Sequence, residues 1–116
     1  MDYRIDSRNG VRVVQLTGSV DVSQALELRE LLGRQIDGPG ARVLVDMTDV
    51  PMIDSSGIGV MVSAHRRADG IGAGAAFALG ACGTTVARVL SLTRTDRLLH
   101  LYQSVEEGVE ALRTGS

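Results

Sequence analysis

The sequence predicts an α/β fold built on a mixed, mostly parallel sheet of about five strands with four helices. Segments patterned like strands alternate with segments of helical period along most of the chain, which implies parallel strands joined by right-handed crossovers. An Asn9-Gly10 pair between the first two strand-like segments adds an antiparallel hairpin, since this dipeptide is the strongest short-range hairpin signal. No linker, repeat or low-complexity stretch interrupts the pattern, so residues 1–116 read as one domain.

The elements follow in order. Tyr3 and Ile5 alternate with Arg4 and Asp6 as a first strand, and Val11 to Leu16 forms the second, ended by Thr17-Gly18-Ser19. Asp21 or Ser23 is placed to cap a helix whose apolar stripe is Ala25, Leu28, Leu31, Leu32 and Ile36, with Gly38-Pro39-Gly40 as its stop. Val43-Leu44-Val45 is a continuous apolar run, as in a strand covered on both faces, and Asp46 to Pro51 leaves it through turn-forming residues. A second helix is expected from about Ser56 to Ala68, with Asp54 or Ser55 as its cap and Asp69-Gly70-Ile71-Gly72 as the connection after it. Ala73 to Leu79 reads as a central strand of small residues, and Gly80 to Gly83 as a loop. Thr84 or Thr85 caps a third helix carrying Val86, Val89 and Leu90. Leu98 to Tyr102 is the last strand. Ser104 then caps a final helix with Glu107 completing a capping box and Val105, Val109 and Leu112 facing inward.

Composition narrows the function. The chain has 116 residues, 44% of them hydrophobic and 22% charged, which supports one core without staples and argues against disorder. All 12 basic residues are Arg, against 14 acidic ones, and the net charge of −2 disfavours a nucleic-acid surface. With no Trp, one Phe and two Tyr, there is no platform for stacked bases. No apolar run approaches the roughly 18–20 residues of a membrane span, and the first residues lack the apolar core of a signal peptide. The expectation is a cytoplasmic protein with its single Cys82 reduced, which excludes an intrachain disulfide and a Cys-rich zinc site. No metal and no organic cofactor is expected.

Enzyme signatures are absent. A phosphate loop of the G-x-x-x-x-G-K-[ST] type needs a Lys, and there is none. The glycine-rich stretch Gly70 to Ala75 follows a helix and precedes a strand, the wrong order for a dinucleotide fingerprint, so it reads as a turn. Ser55, His65 and Asp54 do not make a triad, because ten residues along one helix is about 15 Å. His65 reads as a packed or half-exposed helix residue, His100 as strand packing, and Cys82 as a small thiol in the core or a loop.

Asp54-Ser55-Ser56-Gly57 stands apart. Two hydroxyls with Gly57 and Gly59 leave a helix start unshielded, where backbone donors and the helix dipole favour added negative charge. A phosphoserine could form there without melting the helix. Along the helix, Ile58, Met61, Val62 and His65 are expected to cover the sheet. Gly59, Val60, Ser63 and Arg67 would leave a bare face suited to another protein.

Val43-Leu44-Val45-Asp46, followed by Val50 to Gly59 with the block Asp54-Ser55-Ser56-Gly57-Ile58-Gly59, resembles the STAS domain of bacterial anti-sigma factor antagonists. Leu16 to Asp21 is similar to that family's segment from the second strand into the first helix. The resemblance runs the length of the chain and implies a binding switch, not an enzyme. The partner it implies is an anti-sigma factor that is also a serine kinase, so that binding frees a sigma factor. Ser55 is the implied phosphorylation site, which releases the partner, and a PP2C-type metal-dependent phosphatase resets it. Asp21, Asp54, Ser56, Gly57, Gly59 and Ser63 are the implied contact surface, and Ser56 is the rival acceptor. The chain departs from the family pattern at Ser19, Met52, Gly83-Thr84 and Arg94-Thr95. Two other readings are a STAS scaffold or transport-accessory protein that works without phosphorylation, and a small nucleotide-binding or hydrolytic domain.

Overall fold

A computed structural model describes residues 1–114. The elements are β1 (Asp2–Arg8), β2 (Val11–Thr17), α1 (Ala25–Gln35), β3 (Arg42–Asp49), α2 (Ser55–Ile71), β4 (Ala76–Gly80), α3 (Thr84–Leu92), a single 3₁₀ turn at Thr95–Arg97, β5 (His100–Tyr102) and α4 (Val105–Arg113). The strands lie side by side in chain order. β1 pairs antiparallel with β2, and the other neighbours are parallel. The expected α/β architecture of five strands and four helices is what the chain adopts.

Strand alternation divides the core in two. Val14, Leu16, Val43, Val45, Met47, Phe77 and Leu79 face one side, under the buried residues of α1, α2 and α3. Val11, Val13, Leu44 and Ala78 face the other, under Val105, Val109 and Leu112 of α4. Three successive crossover helices on one face are what uniformly right-handed connections produce. The Val43-Leu44-Val45 run is therefore covered on both faces, as its unbroken apolar character implies. α4 sits close over β3, and a Cβ on Gly108 would lie 2.8 Å from Leu44 Cδ1.

Several boundaries differ from the sequence reading. α2 continues through Asp69 and Gly70 to Ile71, because Ile71 packs against the core and outweighs the roughly 1 kcal/mol that a helical Gly costs. β4 begins at Ala76, not Ala73, since Ala73 and Gly74 take positive φ and form a turn. β3 extends to Asp49: buried Asp46 is accepted inside the strand because its Oδ1 takes hydrogen bonds from the Thr48 backbone N–H (3.0 Å) and hydroxyl (2.6 Å). β5 starts at His100, as the 3₁₀ turn and Leu98 precede it. Neither Asp21 nor Ser23 caps α1, and neither Thr84 nor Thr85 caps α3. The N-cap residues are Gln24 and Gly83, without side-chain cap bonds. Ser104 caps α4 as expected, accepting from the Glu107 N–H at 3.0 Å.

Candidate functional site

Beyond the end of β2 the chain stays beside the segment that leaves β3. Gly18 N–H donates to the Asp49 carbonyl at 3.0 Å, Val20 N–H to the Met52 carbonyl at 3.0 Å, and Asp54 N–H to the Val20 carbonyl at 3.1 Å. Val20 and Ile53 form an isolated parallel bridge, both buried. These bonds fix the mouth of α2 at the carboxyl ends of the parallel strands, where open α/β sheets place their binding sites.

Asp54 resolves the choice of cap. It is extended (φ −104°, ψ −175°), and its Oδ1 accepts from the Gly57 N–H at 3.1 Å. Ser55 is then the first helical residue, exposed, and its hydroxyl makes no hydrogen bond to any described residue. Ser56 is half-buried. Gly57 is buried, and a Cβ there would lie 2.7 Å from Ile53 Cγ1 and 2.9 Å from both Val20 Cγ1 and the Val20 carbonyl oxygen. It shapes the site from below and is not on its surface. Asp21, half-buried, follows Val20 directly and is held by a local turn: its Oδ1 accepts from the Ser23 N–H at 2.8 Å, and its own N–H donates to Gln24 Oε1 at 3.1 Å. Asp21, Asp54 and Ser55 thus come from two segments locked together by backbone bonds.

Gly59 is exposed on the next turn. Ser63 is half-buried, further along in a groove of about 180 Å³ between α1 and α2, with Arg29, Gly33 and Arg67 around it. The inward stripe of α2 is only partly the expected one: Met61 and His65 are buried and Ile58 packs on the core, as expected. Val60 and Ala64 are buried with Met61 and His65, while Ile58 and Val62 are half-buried. Val60, expected on the bare face, is buried because α1 also packs on α2, and it lines the groove between them with Arg29 and Leu32.

Sequence reasoning gave no contact role to three residues here, and Met52 entered it only as a departure from the family pattern. Val22, Leu26 and Met52 are 71%, 68% and 48% exposed, on the segments flanking the mouth of α2. The available signal was Leu26, an apolar residue outside the inward stripe of α1. Apolar side chains gathered beside a binding locus are the usual content of an interface core.

His65 and Cys82 keep their plainer roles, and His100 does not. His65 is buried, with Nε2 3.3 Å from Asp69 Oδ2 and its ring 5.5 Å from that of His100. His100 is exposed rather than packed in the strand. Burial raises the Cys82 thiol from its ordinary 9.0 to about 11, which keeps it protonated and unreactive at neutral pH. Among the described residues, no group of three or more His, Cys, Asp or Glu is placed to hold a metal ion, and no helix is long and apolar enough to cross a membrane.

The chain is 22% identical over 111 residues to the anti-sigma-F factor antagonist RsfB of Mycobacterium tuberculosis, covering 96% of this chain and 88% of that protein. Its fold superposes on an anti-sigma factor antagonist from Mycobacterium paratuberculosis with a TM-score of 0.83 at 24% identity, covering 97% and 93% of the two chains. The phosphorylated form of the Bacillus cell fate determinant SpoIIAA superposes with a TM-score of 0.68 at 17% identity, covering 96% and 99%. The family model for the STAS domain matches residues 2–108, nearly the whole of the sheet and its helices, and the chain belongs to the STAS domain family.

Proposed function

We propose that this chain is a cytoplasmic anti-sigma factor antagonist whose partner binding is switched off by phosphorylation of Ser55. The observation that carries the proposal is the division of labour at the mouth of α2. Asp54 caps the helix, so the exposed Ser55 hydroxyl has no structural duty and can be modified without loss of the cap. Ser56, half-buried, is the poorer acceptor.

The physics of the switch is local. A phosphate on Ser55 adds about −1.5 to −2 charges at neutral pH. The fold tolerates them, because they sit at the positive end of the α2 dipole. A docked partner does not, because it must desolvate the phosphate beside Asp54 and close to Asp21 without counter-charges. In this account Val22, Leu26 and Met52 supply the apolar contact, and Asp21, Asp54, Ser56 and Gly59 its polar surroundings, with Ser63 at its far end. The partner is an anti-sigma factor with serine kinase activity, and a PP2C-type phosphatase restores the binding form. The likeness to RsfB, named as an anti-sigma-F factor antagonist, supports this reading.

The test uses the cognate kinase with ATP and the full-length chain. Intact mass should rise by one phosphate, tandem mass spectrometry should place it on residue 55, and the complex should dissociate. Ser55→Ala should stay bound under the same conditions. Release of Ser55→Ala by kinase and ATP, or modification mapped to residue 56, would overturn the assignment. A complex that forms but accepts no phosphate would favour the scaffold reading.

A further inference from the structure

β1 is an edge strand with seven exposed residues, paired on one side only, to β2. Asn9 and Gly10 have φ of 53° and 81°, the conformation of a two-residue type I′ hairpin turn, which makes Arg8 and Val11 a hydrogen-bonded pair. Bonded and non-bonded pairs alternate in an antiparallel ladder. Even-numbered residues of β1 therefore bond inward to β2, while Tyr3, Ile5 and Ser7 turn their backbone groups outward. Consistent with this, the Ser7 N–H is taken by the carboxylate of its neighbour, Asp6 Oδ1, at 2.9 Å.

Natural proteins often protect such an edge with charge of one sign, Lys above all. The edge here is different. Its two Asp and two Arg sum to zero, and they are antisymmetric about Ile5: Asp2 mirrors Arg8, and Arg4 mirrors Asp6. All four lie on one face of the sheet, and Tyr3 and Ile5, 42% and 43% exposed, lie on the other.

We propose that this edge is a self-association surface. Two copies of the chain pair β1 against β1, antiparallel, about a two-fold axis through Ile5, to form one continuous ten-stranded sheet. A two-fold axis normal to the sheet keeps each face continuous, so residues pair only with those of the same parity. Centred on Ile5, Asp2 meets Arg8 and Arg4 meets Asp6 of the second copy, twice each. Ile5 meets Ile5, and Tyr3 meets Ser7, with the outward N–H and C=O groups of Tyr3, Ile5 and Ser7 forming the new ladder. Asp6 exchanges the Ser7 N–H and its bond to Arg8 Nε for Arg4 of the second copy. Sliding the register by one step to centre on Arg4 stacks Arg4 on Arg4 and Asp2 on Asp6. Centring on Asp6 stacks Asp6 on Asp6 and Arg4 on Arg8. Opposite charges across a pair stabilise and like charges oppose it. The Ile5-centred register makes four opposite pairs, against two when the pairing centres on Tyr3 (Asp2 with Arg4) or on Ser7 (Asp6 with Arg8), so the charges favour it. The proposal does not depend on the role of Ser55.

The test is sedimentation velocity on the full-length chain, from about 10 µM to about 1 mM, a range matched to a small edge interface. The wild-type chain should shift from monomer to dimer over this range, and added salt should weaken the shift. Arg4→Asp and Asp6→Arg each place like charges opposite each other, and each should weaken the dimer at least tenfold. The double variant Arg4→Asp/Asp6→Arg restores every opposite pair and should recover it. So should an equimolar mixture of the two single variants, each monomeric alone. A wild-type chain that stays monomeric throughout overturns the proposal. A dimer indifferent to the single variants, or one restored by neither the double variant nor the mixture, does so equally. All substitutions lie on an exposed strand, and circular dichroism verifies the fold of each variant.

Discussion

The two ends of α2 look alike in the sequence and differ in physics. Both are rich in glycine and small polar residues: Asp54-Ser55-Ser56-Gly57 at the start, Asp69-Gly70-Ile71-Gly72-Ala73-Gly74 at the finish. At the start, glycine is required for space. Gly57 has ordinary backbone angles, but Ile53 and Val20 leave no room for a Cβ. At the finish, glycine is a matter of backbone conformation. Gly72 and Gly74 have φ of 61° and 81°, and Gly70 has nothing within 4 Å of where its Cβ would stand. The first end is a rigid platform tied to β2 by backbone bonds, and the second is a turn into β4. A glycine-rich motif therefore carries functional weight where its glycines permit two segments to touch.

The sharpest contrast between the ends is in binding. Ser55→Asp should weaken the complex with the anti-sigma partner by about a thousandfold, equivalent to about 4 kcal/mol of binding free energy. Gly70→Ala, at the other end of the same helix, should leave affinity unchanged. Titration calorimetry of both variants decides it. An equal loss from both would mean that the partner reads the whole helix and not its mouth.

Stability separates the ends next. Gly57→Ala forces a methyl into the Val20 carbonyl and two side chains, and overpacking of this kind costs about 1–3 kcal/mol or more. Urea unfolding should show a loss near the top of that range, because one colliding atom belongs to the backbone. A loss under about 0.5 kcal/mol would show that the β2–α2 junction yields easily, contrary to the rigidity proposed for it. Asp54→Ala should cost about 1 kcal/mol, the usual value of an N-cap, by leaving the Gly57 N–H unpaired. Its reach is confined to the first turn of α2.

These differences explain what the sequence could and could not disclose. The order of elements was legible because binary patterns repeat over many residues, and a cap at Asp54 or Ser55 was legible because a crowded polar cluster precedes an apolar helix; which of the two caps, and that Gly57 is buried against Val20 and Ile53 rather than on the surface, was not. The far end of α2 was not, since Asp69-Gly70 resembles a loop until Ile71 is seen packed on the core. The strand character of Asp46 was hidden in the same way, because its burial is tolerable only with the Thr48 donors in place. The caps of α1 misled because Asp21 spends its carboxylate on a turn before the helix. In each case a tertiary contact or a local hydrogen bond reverses a reasonable local preference.

The smallest effects are expected at the far end, and they have unusual signs. Gly70→Ala replaces glycine with alanine inside an exposed helix turn, and should stabilise the chain by about 0.5–1 kcal/mol. Three residues on, the opposite exchange should also help. Ala73 is exposed at φ 48°, in the left-handed region that costs a residue with a Cβ about 1–2 kcal/mol. Ala73→Gly removes that strain but gives the unfolded chain more freedom, worth about 0.4–1 kcal/mol in the other direction. The remainder is a gain of about 0.5 kcal/mol, within reach of thermal unfolding on replicate samples. Destabilisation by Ala73→Gly would show that the turn carries no strain. The distinction between a helix end where glycine makes room and one where it relieves the backbone would then fail at its second half.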